Sequence, residues 1–103
     1  MKTTISKVDN ADGSIDLYFE NLGHWDYLEL IKNILVNDNK CLVIGEFDMI
    51  TDKEILLKFT DVQFMLKHDY MFGNCLHITD KHDYVILEHL ANNVIENISA
   101  DTP

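Results

Sequence analysis

At 103 residues the chain is long enough for one domain with its own core and too short for two. Eighteen Asp and Glu stand against eight lysines and no arginine, a formal net charge of −10. That field repels nucleic acid and anionic membrane and attracts a cationic surface, and it lacks the residue that usually clamps phosphate or carboxylate.

Hydrophobic residues make up 47% of the chain, which excludes disorder by composition despite the charge. Uninterrupted apolar runs, such as Ile34-Leu35-Val36, are far too short for a membrane span. The start, Met1-Lys2-Thr3-Thr4, lacks the apolar stretch of a signal peptide, so a cytoplasmic protein beginning at Met1 is expected. The two cysteines, Cys41 and Cys75, then read as reduced, buried small hydrophobes.

Residues Thr3 to Val8 read as a first strand. Asp9-Asn10-Ala11-Asp12-Gly13-Ser14 has turn chemistry, because Asn and Asp bond their own backbone and Gly tolerates positive φ. Ile15, Leu17 and Phe19 then alternate with Asp16, Tyr18 and Glu20, a half-buried strand that closes a hairpin. Trp25, Leu28, Ile31 and Leu35, with Tyr27, Leu30 and Ile34 beside them, predict a helix over His24–Val36. Asp26 and Glu29 suit its start, and Asn37-Asp38-Asn39 stops it.

Cys41 to Ile50 is apolar on both parities until Glu46, which predicts a central strand covered on both faces at its start. Thr51-Asp52-Lys53-Glu54 reads as a hairpin turn. Ile55, Leu57 and Phe59 alternate with Leu56, Lys58 and Thr60, then the apolar parity flips to Val62, Phe64 and Leu66. A bulge near Thr60-Asp61 inside one strand accounts for that flip. A last strand covers Phe72 to Ile78 after a turn around His68-Asp69-Tyr70. Thr79 or Asp80 caps the final helix, with Asp83 in its first turn and a buried stripe at Leu87, Leu90, Ala91, Val94 and Ile98. The expectation is a single α+β domain over residues 1–103, with a disordered tail at 100–103. It has an antiparallel sheet of about five strands and two helices, in the order β-β-α-β-β-β-α.

Few residues carry a chemical signature. Lys67-His68-Asp69-Tyr70 recurs as Lys81-His82-Asp83-Tyr84, and His24-Trp25-Asp26-Tyr27 is a looser version. Neighbours in sequence point apart on strands and helices, so a His beside an Asp reads as turn and cap chemistry rather than a relay. Cys75 and His77 share one strand face and are the one pair able to seed a metal or nucleophile site, but no paired CxxC or HxxxH supports it. The four glycines are isolated, so no phosphate loop exists. No catalytic residue, cofactor or metal is expected.

The surface acids remain. Glu46, Asp48, Asp52, Glu54 and Asp61 cluster around the central hairpin, and Asp16 and Glu20 lie on the first. With Tyr70 as an aromatic anchor, these are the expected partner-binding residues, since such charge speeds encounter with a basic protein and rejects wrong partners; Tyr18, Trp25 and Phe72 are further anchors if exposed.

A small, acidic, α+β domain without a catalytic motif resembles the immunity proteins that bacteria carry beside a toxin of contact-dependent growth inhibition. The resemblance covers the whole chain and is one of profile: length, acidity and no catalytic signature. It implies a protein without enzymatic activity, a monomer that forms a one-to-one complex with a basic toxin domain. It further implies that the toxin is a ribonuclease-like nuclease whose cationic cleft is covered. Other readings are a small enzyme or metal protein using Cys75 and His77, and an adaptor subunit pairing through an exposed strand at Phe72–Ile78.

Overall fold

A computed structural model describes residues 4–101, with side chains through Ile98. Its elements are β1 (Ile5–Asp9), β2 (Ile15–Phe19), α1 (Trp25–Asn37), β3 (Leu42–Asp48), β4 (Lys53–Phe59), β5 (Val62–Asp69), β6 (Gly73–Ile78), a 3-10 turn (Lys81–Asp83) and α2 (Tyr84–Asp101). The class is α+β as expected, but the sheet has six strands, in the order β1-β2-β6-β5-β4-β3, with every neighbouring pair antiparallel. The strand expected to begin at Thr3 begins at Ile5, and Thr3 lies outside the described residues. Of the tail expected at 100–103, the backbone of Ala100 and Asp101 continues α2, while Thr102 and Pro103 lie outside the described residues.

The sixth strand comes from the segment read as one bulged strand. Phe59 pairs directly with Val62, so Thr60-Asp61 is a two-residue hairpin loop. A tight turn and a bulge both flip side-chain parity, and here the chain reverses. Thr60 takes a left-handed φ of 52° at the first loop position, where mirror-image hairpin turns require it. A bulge does occur elsewhere, between Val43 and Gly45.

The alternation on β2 buries Ile15, Leu17 and Phe19 on one face. Registered partners continue that layer across the sheet as Leu17, Leu76, Leu66 and Ile55. Helix α1 covers this face over β5 and β6, and α2 covers it over β2 and β6. Leu28, Ile31, Ile34 and Leu35 of α1 are buried, and all five positions of the expected α2 stripe are buried. At 13 residues α1 is about 20 Å long, roughly the length of the strands it crosses. Asn39 ties its end to α2 by donating from Nδ2 to Asn93 Oδ1 at 2.9 Å.

Two strand placements correct the expectation. β3 is an edge strand, not a central one, and Leu42, Val43 and Ile44 are exposed. Residues apolar on both parities signal two covered faces only when a layer is available for each, and neither helix makes extensive contact with β3. Conversely β6, proposed as an open edge, lies between β2 and β5, with both sides paired.

Candidate interaction surface

The antiparallel register collects three connections at one end of the sheet. These are the β2–α1 segment (20–24), the β3–β4 turn (49–52) and the β5–β6 turn (70–72). Large apolar side chains stand exposed on them and beside them. Trp25, Phe47 and Met49 are about half exposed, Tyr70, Met71 and Phe72 more so, and Ile50 completely. Several large exposed hydrophobics converging on one rim form a patch of the kind monomers normally bury, unlike singly scattered ones.

The rim is held in place from below. Asp69 Oδ1 accepts from the backbone N–H groups of Met71 (2.7 Å) and Phe72 (3.0 Å), which fixes the turn that presents them. Asp52 Oδ1 accepts from the Tyr70 N–H at 3.0 Å and joins two of the turns. Fully buried Asn74 donates from Nδ2 to the carbonyls of Leu22 (2.7 Å) and His24 (3.1 Å) and accepts from His68 Nδ1 at 2.8 Å. Two carbonyls facing Nδ2 fix the amide orientation, so Nδ1 of His68 carries the proton. Trp25 then stands edge-on to the His68 ring, with centroids 4.7 Å apart. Gly23 and Gly73 touch: a Cβ on Gly73, whose φ is +88°, would lie 2.7 Å from the Gly23 Cα. That approach brings the β2–α1 segment against β6.

The expected acids divide. At the rim, Asp52 serves Tyr70, and Asp48, largely exposed, lies 3.6 Å from Lys53 Nζ. Glu46 is neutralised at home. Lys53 hydrogen-bonds it and Lys32 adds a second cation, which together hold its carboxyl below the usual carboxylate range. Glu54 lies 4.0 Å from Lys67. Asp61 is exposed but sits in the β4–β5 turn, one strand length, about 20 Å, from Asp52 and Tyr70. Asp16 and Glu20 lie on β2 and just beyond it, with β6 and β5 between them and β4. The structure thus gathers Asp48, Asp52 and Tyr70, places Glu20 nearby, and leaves Asp61 apart. Trp25 and Phe72 were foreseen as anchors if exposed; Phe47, Met49, Ile50 and Met71 were not, because apolar residues on and beside a strand signal core.

The face of the sheet opposite the helices carries two transverse rows. One reads Ser6, Tyr18, Cys75, Lys67, Glu54 and Phe47; the next reads Val8, Asp16, His77, Met65, Leu56 and Gly45. Asp16 is anchored in the second row. Its Oδ1 lies 2.6 Å from His77 Nδ1, and its Oδ2 accepts from Asn10 Nδ2 at 2.9 Å. Against β1 and β2, and closed at the rim by Phe72, lies a groove of about 430 Å³.

The Cys75–His77 alternative meets this geometry. Cys75 is buried, and burial pushes its thiol up to about 12, far from a thiolate at neutral pH. Burial likewise pushes Cys41 up to about 11. Among the described residues, no three His, Cys, Asp or Glu side chains come together as a metal site would need. The three His-Asp echoes have separate local uses: His24 Nδ1 caps α1, Asp69 holds the β5–β6 turn, and Lys81-His82-Asp83 forms the 3-10 turn, whose His82 N–H donates to the capping Asp80. No described helix is long and apolar enough to cross a membrane. Comparison with protein-family models, curated proteins and solved structures finds no match to this chain.

Proposed function

We propose that this protein is a binding module, an immunity protein that neutralises a cognate bacterial toxin domain. The toxin is a basic nuclease of ribonuclease type, and the complex is one-to-one and cytoplasmic. The observation that carries the reading is the rim. Exposed Trp25, Phe47, Ile50, Tyr70 and Phe72 converge at one end of the sheet, on a chain of net charge −10. Aromatic and aliphatic anchors supply binding energy, and surrounding acids speed encounter and orient a cationic partner. On this reading Asp48, Asp52 and Glu20 face the partner, while Glu46 and Glu54 serve the protein's own lysines.

The test is co-purification with the product of the adjacent gene, followed by an RNA-cleavage assay of that product. A one-to-one complex that loses ribonuclease activity is expected. Tyr70→Ala should weaken it roughly thirtyfold, as a hot-spot truncation of about 2 kcal/mol does. Asp48→Lys should slow association most at low salt. Asp61→Lys, at the far end, should change affinity little. An acidic partner, or a complex indifferent to Tyr70→Ala and Asp48→Lys, overturns the reading.

A further inference from the structure

The groove beside β1 and β2 has a composition suited to one kind of side chain. Tyr18 and Phe72 supply aromatic walls, Asp16 and Glu20 supply carboxylates, and among the described residues none of its lining is basic. Each part is held before anything arrives. Asp16, largely buried, is fixed by His77 and Asn10. Glu20 is exposed, and Ser6 Oγ donates to its Oε1. The β5–β6 turn sets Phe72 through its backbone N–H bonded to Asp69. Tyr18 is half-buried in the row between Ser6 and Cys75. The nearest lysine in that row is Lys67, one strand beyond Cys75, and its ammonium is directed to Glu54.

We propose that this groove seats an arginine side chain of the protein partner, its guanidinium lying against Phe72 and Tyr18 and bonded to Glu20 beside the field of Asp16. A guanidinium is planar, weakly hydrated and able to stack on an aromatic face while donating in its plane to a carboxylate. An ammonium is more strongly hydrated and lacks that plane. The chain contains no arginine of its own to fill the groove. A volume of about 430 Å³ falls in the range of roughly 300–1,000 Å³ typical of small-molecule pockets, ample for one side chain. This inference rests on the partner-binding reading and adds what the partner inserts.

The experiment needs no partner. The whole protein is titrated with acetyl-Gly-Arg-Gly-amide and with the citrulline peptide, its neutral isostere, while side-chain and amide NMR shifts are followed. The arginine peptide should shift Tyr18, Glu20 and Phe72 with a Kd in the millimolar range. The citrulline peptide should not, and a lysine peptide should bind several-fold more weakly. Glu20→Gln and Phe72→Ala, both exposed substitutions, should each raise Kd at least fivefold, and Glu96→Gln on α2 should leave it unchanged. Equal shifts from arginine and citrulline peptides, or shifts spread over the acidic surface, overturn the proposal. So does a Kd untouched by Glu20→Gln and Phe72→Ala. If the adjacent gene product binds Glu20→Gln and wild type equally well, the groove proposal fails while the partner reading stands. If the arginine peptide binds as described but that product does not bind, the groove proposal stands and the partner reading fails.

Discussion

Asn74→Ala tests whether the rim is clamped from beneath. The substitution removes three hydrogen bonds: those to the Leu22 and His24 carbonyls and that from His68 Nδ1. At about 1 kcal/mol net for each, the loss is about 3 kcal/mol, with Asn74, Leu22 and His68 all buried. For a domain of this size, 1 kcal/mol moves Tm by roughly 4–8 °C, so a fall of about 12–24 °C is expected by calorimetry or circular dichroism. Trp25 is the only tryptophan and stands on the His68 ring, so its fluorescence reports the same clamp. In the folded variant its emission should shift to the red. Asn39→Ala, removing two bonds at a partly buried site, sets the scale for an ordinary polar deletion and should cost about 1–2 kcal/mol. A loss below about 1 kcal/mol in Asn74→Ala, with Trp25 emission unmoved, would refute the clamp.

Two further outcomes follow from backbone and thiol chemistry. Thr60 is β-branched and holds a left-handed φ of 52°, so Thr60→Asn should stabilise the fold by about 1 kcal/mol, read as a higher Tm; no gain would mean the loop has another geometry. The thiols set an alkaline limit. In the unfolded chain they ionise near 9, whereas burial keeps Cys41 and Cys75 protonated to about 11 and about 12. The unfolded state therefore binds fewer protons above pH 9, and stability falls as pH rises. The expected slope is about 1 kcal/mol per pH unit for each thiol. Urea titrations at pH 7, 9 and 10 should show this decline, and a Cys41→Ala, Cys75→Ala double variant should flatten it. An unchanged slope in the double variant removes the thiols as the cause.

The parts of the fold legible in the sequence are those where one local rule acted alone. Strict alternation from Ile15 to Glu20 marked β2, and the spacing of Leu87, Leu90, Ala91, Val94 and Ile98 marked the buried face of α2. The hairpin at Thr60-Asp61 was not legible, because its turn lacks the Asn-Gly or Gly-rich signal and places a β-branched residue where φ is positive. The position of β3 was not legible either. Leu42, Val43, Ile44 and Phe47 have the composition of a core strand, and only the sheet order makes them surface. For the site, acidity could be counted but not assigned. Glu46 and Asp48 have the same residue chemistry, yet Lys32 and Lys53 converge on the first while the second is largely exposed. Tyr70 was found because an aromatic in a turn has no core to enter. Ile50 and Met71 lie in turns too, but their type argued for burial.

The strand order has a kinetic consequence. β3 to β6 form a meander of successive hairpins, whose contacts are local, whereas β2 meets β6 only after the chain has crossed the sheet in α1 and returned. Leu17 and Leu76 are partners across that join though far apart along the chain, so closing it is the entropically expensive, late step. The groove draws Ser6 and Tyr18 from the N-terminal side of the join and Phe72 from the C-terminal side. A nascent or partly opened chain therefore has no groove, and whatever occupies it selects molecules in which the first and last strands have met. Occupancy in turn holds them together, so a bound partner should slow the exchange of β2 and β6 amides more than those of β3 and β4.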